Sequence, residues 1–147
     1  MATTTFSGPI KAGTIRDGAG ANVGFVLMAQ SANVVFGDDG STTVVATVPA
    51  NSQIYQIAVD VTTAFDAATT NTFDLGDGTT ANKYADALDV SSAARVLATS
   101  DVSQIGNLID IGTSDVDVTV TYNQTGAAAT AGAATVTVLY IQNNNLS

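Results

Sequence analysis

The chain has 147 residues, enough for one domain with its own core, and its formal net charge of −9 comes from thirteen aspartates set against Lys11, Arg16, Lys83 and Arg95. It contains no Glu, His, Cys or Trp, which removes the thiolate nucleophile, the imidazole base, a disulfide framework and the usual zinc ligands. An acidic surface repels a phosphate backbone, so nucleic acid is not an expected partner, and no run of about 18 apolar residues is present to span a bilayer.

Residues 1–22, "MATTTFSGPIKAGTIRDGAGAN", are rich in Gly, Thr and other small residues and read as an extended N-terminal arm. They have no apolar stretch of signal-peptide length, so synthesis in a cytoplasm is expected. Lys11 and Arg16 are the charged residues of positions 1–16, whereas all thirteen aspartates follow. That change of sign marks the arm as facing a different neighbour from the rest of the chain.

Residues 23–147 read as one β domain. Its apolar content is mostly Ala and Val beside abundant Thr, side chains that suit a pleated, half-buried surface better than a solvated helix. "GFVLMAQ" and "NVVFG" are the first strand segments, "GDDG" at 37–40 is a turn, and "TTVVATV" runs to Pro49. In "IYQIAVDV", residues 54–61, strict alternation puts Tyr55, Ile57, Val59 and Val61 on one face. "NTFDLG" is a further short strand, and "ADALDV" is another or a bridging turn. "SSAARVLAT", residues 91–99, is read as a short helix, with a strand as the alternative, and "QIGNLIDIG" as a β segment interrupted by Gly. "DVDVTVTY" and "ATVTVLYI" alternate cleanly and are expected to form an antiparallel pair, joined by "NQTGAAATAG" as a projecting tip or a close subunit contact. The aromatic side chains, Tyr55, Tyr122, Tyr140, Phe25, Phe36, Phe65 and Phe73, are assigned to packing. About eight strands with Gly, Asp and Asn turns and no βαβ rhythm predict an all-β protein, an antiparallel β-sandwich of jelly-roll type.

Few stretches carry chemistry. "FDLGDGTTANKYAD", residues 73–86, offers Asp74, Asp77 and Asn82 as oxygen ligands for a cation, but its spacing is not that of a calcium loop. The preferred reading is a turn in which Asp77 bonds nearby backbone through its own side chain. No metal or cofactor is expected. Among thirteen aspartates some facing pair is inevitable, so a glycosidase pair carries little weight and no enzyme is expected.

"VPANSQIYQIAVDVTTAFDAATTNTFDLGDG", with its Pro-Ala-Asn lead into a Val-rich strand, its Thr-Ala-Phe and its Gly-Asp ending, resembles a family of small jelly-roll proteins of tailed bacteriophages. "TVTYNQTGAAATAGAATVTVLYI" is similar to that family's last hairpin, and "FSGPIKAGTI" at residues 6–15 to the N-terminal arm of such virion head proteins. The resemblance implies a capsid decoration or cement protein, a homotrimer on the outer surface of the phage head that ties capsomers together. The major capsid protein is then the implied partner. In that picture Phe6, Pro9, Ile10 and Ile15 anchor the arm and Lys11 and Arg16 meet acidic capsid groups. The alternative is a receptor- or carbohydrate-binding head of a fibre or appendage, using loop residues around Asp74 to Tyr84.

Overall fold

A computed structural model describes residues 27–108 and 111–142. The expected arm, residues 1–22, lies outside the described residues, and so does Phe25. Among the described residues eight strands follow one another: β1 (Leu27–Val35), β2 (Thr42–Val48), β3 (Ser52–Thr63), β4 (Thr70–Gly76), β5 (Ala85–Asp89), β6 (Arg95–Leu97), β7 (Val116–Thr125) and β8 (Ala133–Gln142). They form two four-stranded antiparallel sheets, ordered β1-β8-β3-β6 and β2-β7-β4-β5. The first strand pairs with the last, the second with the seventh, the third with the sixth and the fourth with the fifth. This is a jelly roll: a long antiparallel ribbon folded at the β4–β5 hairpin and wrapped so that all the other connections pass from one sheet to the other.

The inner faces are built from alternate positions. Val136, Val138 and Tyr140 of β8 and Val118, Val120 and Tyr122 of β7 are all buried. Between the sheets Phe65, Phe73 and Tyr122 form an aromatic cluster with ring centroids 4.6–5.8 Å apart, in edge and tilted geometries that ring quadrupoles favour. The Tyr122 hydroxyl lies 2.8 Å from Asn71 Oδ1, and the buried Asn71 amide also bonds both Ala67 N and Ala67 O. A buried amide satisfied in this way fixes the chain where it leaves the core towards β4.

Three expectations are corrected. β7 and β8 do not pair with each other; they lie in opposite sheets, because alternation shows which face is buried but not which strand lies alongside. The Gly126–Gly132 connection crosses the end of the sandwich and packs on its own chain. Ala68 N bonds Ala127 O, Phe36 N bonds Gly132 O, and a Cβ on Gly132 would strike the Phe65 ring. Residues 91–99 are not a helix. Ser91–Ala94 bend, β6 follows, and Ala98–Ser100 make a 3-10 turn, with Val61 N bonding Ala94 O and Arg95 pairing with Asp60 across the strands. In "QIGNLIDIG", Ile105–Leu108 form a 3-10 turn rather than a strand, held by Asn107 bonding the Lys83 carbonyl and Gln104.

The open edges of the sheets are managed from within. Gln30 on β1 reaches across to β2, its Nε2 donating to Thr47 O and its Oε1 accepting from Thr47 N, while also bonding the Tyr140 hydroxyl. One side-chain amide thus occupies an edge position of β2 and staples the two sheets together.

Candidate interaction surface

The stretch that drew attention in the sequence is a closed turn. Asp77 Oδ1 accepts from Thr79 N at 2.9 Å and Thr80 N at 2.7 Å, and Oδ2 pairs with Lys83 Nζ at 2.8 Å. The ammonium of Lys83 stands where a cation would have been sought. Gly76 is required here, since a Cβ would collide with the carbonyls of Thr80 and Ala81. Asp74 points to other partners, Ala87 N and Asn123 Nδ2, both at 2.8 Å. Burial by itself would raise the Asp77 carboxyl. The Lys83 hydrogen bond, the Thr80 and Thr79 amides and the Lys83 charge together outweigh burial and hold it at about 2. Beside it, burial and the Asp77 charge push the Tyr84 phenol up to about 12, and its hydroxyl has no partner among the described residues.

The same use of carboxylates recurs around the molecule. Asp66 accepts from Thr130 N, Thr130 Oγ1 and Ala131 N, tying down the crossing connection. Asp101 accepts from Asp86 N and Ser103, Asp89 from Ser91 N, and Asp115 from Ala50 N. Asp38 accepts from Val35 N, Asp39 from Gln124 N, Asp117 from Thr47 Oγ1 and Asp60 from Arg95. Every described aspartate carboxylate except that of Asp86 therefore has an intramolecular partner. These bonds favour the charged form: the amides and hydroxyl at Asp66, Ser91 at Asp89, and Ser103 with Asp86 N at Asp101 all lower the carboxyl. A shallow open groove is lined by Asp86, Asp89, Asp101, Leu88 and Val96, but two of its three carboxylates are already engaged. Among the described residues no group of three candidate ligands converges on a metal position.

The two outer sheet faces differ in chemistry. On β2-β7-β4-β5 the outward side chains bond one another: Thr42 with Thr121, Thr70 with Thr125, and Asn123 with Asp74. Thr119 on this face is buried, with Gly78 of the 77–84 turn beside it. On β1-β8-β3-β6 one end is polar, with Asn33 bonding Thr135 and Asp60 bonding Arg95. The other end is uncharged and carries larger apolar side chains beside two glutamines. There Leu27 pairs with Ile141, and Ile141 with Gln53; Ala29 pairs with Leu139, and Leu139 with Gln56.

Tyr55 belongs to this apolar end. It was expected to pack in the core or at a subunit contact, on the same face as Ile57, and it lies outside the core at 65% exposure. The cause is a β-bulge: the pairing of β3 with β8 shifts between Ile54 and Gln56, leaving Tyr55 as the extra residue. Ile54 and Ile57 both turn inward, and Gln56 Oε1 takes the Ile57 amide. Phe36 is likewise 42% exposed, at the end of β1. The alternation of residues 54–61 could not reveal this, because a bulge changes the phase without changing the composition. The anchor residues named from the sequence, Phe6, Pro9, Ile10, Lys11, Ile15 and Arg16, all lie outside the described residues.

At the level of sequence no protein family and no curated protein matches the chain. Solved structures do share its fold. A chain of the capsid asymmetric unit of cyanophage Pam1 superposes with a TM-score of 0.63 at 17% identity, covering 97% of this chain and 99% of that one. A chain of the acid-stable capsid of Helicobacter pylori bacteriophage KHP30 superposes with a TM-score of 0.52 at 18% identity, covering 80% and 88%.

Proposed function

We propose that the chain is a non-enzymatic structural protein of a bacteriophage virion, and specifically a decoration or cement protein on the outer surface of the head. The observation that carries this reading is end-to-end agreement in fold, with almost nothing left over on either side, with a chain of a phage capsid asymmetric unit. The chemistry of the described residues agrees with it. All but one of their carboxylates are engaged in holding loops or strands together, and the 77–84 turn that a glycan- or receptor-binding head would use is closed by its own lysine.

In this reading the arm supplies attachment to the major capsid protein. Phe6, Pro9, Ile10 and Ile15 contribute apolar contact, and Lys11 and Arg16 meet acidic groups of the capsid. A homotrimer would present three arms at once, so that the second and third attachments are intramolecular and weak single contacts suffice. The experiment is co-sedimentation of the purified protein with undecorated capsids of its phage, with its native mass measured in the same preparation. Saturable binding by a trimer, abolished by deleting residues 1–16, is the expected result. Binding at undiminished affinity by the truncated protein removes the arm from the mechanism, and a trimer that ignores capsids returns the search to the loop tips.

A further inference from the structure

We propose that the apolar end of the outer β1-β8-β3 face is a docking surface for the chain's own residues 1–26, in the same molecule, while the protein is free. The face itself is the first argument. Leu27 is 51% exposed and Tyr55 65% exposed, and beside them lie Ala29, Leu139 and Ile141 with Gln53 and Gln56 on β3, so that no charged side chain stands at these paired positions. The opposite outer face, by contrast, is a network of bonded Thr, Asn and Asp side chains.

Where the preceding chain joins is the second argument. Leu27, on the rim of the apolar end, is the residue to which the first 26 are attached. At ~3.3 Å per residue those 26 can reach roughly 85 Å, whereas crossing from β1 over β8 to β3 takes two strand spacings, about 10 Å. The third argument is complementarity. The segment offers Phe6, Ile10 and Ile15 to an apolar surface, and Lys11 and Arg16 to a body whose aspartates far outnumber Lys83 and Arg95. The Tyr55 ring is also a site on which a Lys or Arg head can rest. The contact concerns the protein before it meets a capsid, so it stands or falls separately from the proposed function.

The chain has no cysteine, which makes engineered thiols a clean reporter in the full-length protein. Ile10→Cys combined with Tyr55→Cys is compared with Ile10→Cys combined with Thr72→Cys, which lies on the other outer face, under mild oxidation at low protein concentration. The first pair is expected to close within one chain at least about tenfold faster than the second, a docked population favoured by about 1.4 kcal/mol. Equal rates overturn the proposal, and so does closure mainly between chains, which would make a second copy the occupant. An independent readout is trypsin cleavage after Lys11 and Arg16, which tracks the undocked population. Leu27→Asp with Tyr55→Asp, at two exposed positions, should speed cleavage about tenfold, and unchanged cleavage also overturns the docking. Docking by these tests with no capsid binding would retire the cement reading and leave the docking intact.

Discussion

Replacing Asp77 by Asn tests whether the turn over the β2-β7-β4-β5 sheet is held by charge. The carboxyl has a side-chain exposure of 13%, accepts two backbone amides and pairs with Lys83, which bring it from 3.8 to about 2 against the opposing effect of burial. At about 1.4 kcal/mol per pKa unit this corresponds to roughly 2 kcal/mol at most. Because Lys83 is a third exposed, solvent screening reduces the expected figure to about 1–2 kcal/mol. The folded carboxyl titrates below the unfolded one. Its contribution is therefore complete above about pH 4 and is lost as the pH falls towards 2. Urea unfolding of wild type and Asp77→Asn at pH 7, 5, 3 and 2 should show the full difference at the two higher values and a shrinking one below. The pH-independent cost of an altered hydrogen bond cancels from this comparison. A stability difference that stays constant down to pH 2, or that is absent at pH 7, refutes the reasoning.

Other substitutions probe different layers of the fold. Gly132→Ala drives a methyl into the Phe65 ring at a φ of +147°, and should cost about 1–3 kcal/mol, read as a lower urea midpoint with an unchanged m-value. Asn71→Ala leaves the Ala67 backbone and the Tyr122 hydroxyl without their buried partner; a loss of about 1–3 kcal/mol is expected by thermal or urea unfolding. Gln30→Ala frees the Thr47 amide on β2, so hydrogen exchange at Thr47 should accelerate more than exchange at the buried centre of β8.

How much of this could be read from the amino-acid sequence depended on whether the signal was local. Strand identity in β3, β7 and β8 was legible because side chains alternate across a pleated sheet, and the sandwich class followed from many such segments without helical rhythm. The partner of each strand was not legible. β7 and β8 resemble a hairpin in every local respect, yet the connection between them carries Gly132 so that it can pass over Phe65 into the other sheet, a requirement set by a residue 67 positions away. Tyr55 was misplaced for a related reason, since its bulge is specified by pairing with β8 rather than by its own neighbours. The turn at Asp77 was legible because an aspartate bonding amides two and three residues ahead is a local device. The apolar outer face was missed because it is assembled from Leu27, Tyr55, Leu139 and Ile141, which only the strand order brings together.

Part of the aspartate content has a structural origin. A carboxylate that accepts amides two or three residues ahead, as Asp77, Asp89 and Asp101 do, needs the short Asp stem, because Glu carries the carboxylate past the turn. Loops closed in this way favour aspartate over glutamate, and three of the thirteen aspartates behind the net charge of −9 serve them. That charge has a consequence for assembly. Two such bodies repel at a distance, so any association must be carried by surfaces that lack the acid: the uncharged end of the β1-β8-β3 face and the basic residues 1–16. Removing Lys11 and Arg16 together should therefore weaken attachment most at low ionic strength, whereas removing Phe6 and Ile10 should weaken it by a similar factor at every salt concentration. Salt-series binding isotherms of the two variants separate these contributions, and parallel behaviour of both would show that attachment does not divide between charge and apolar contact in this way.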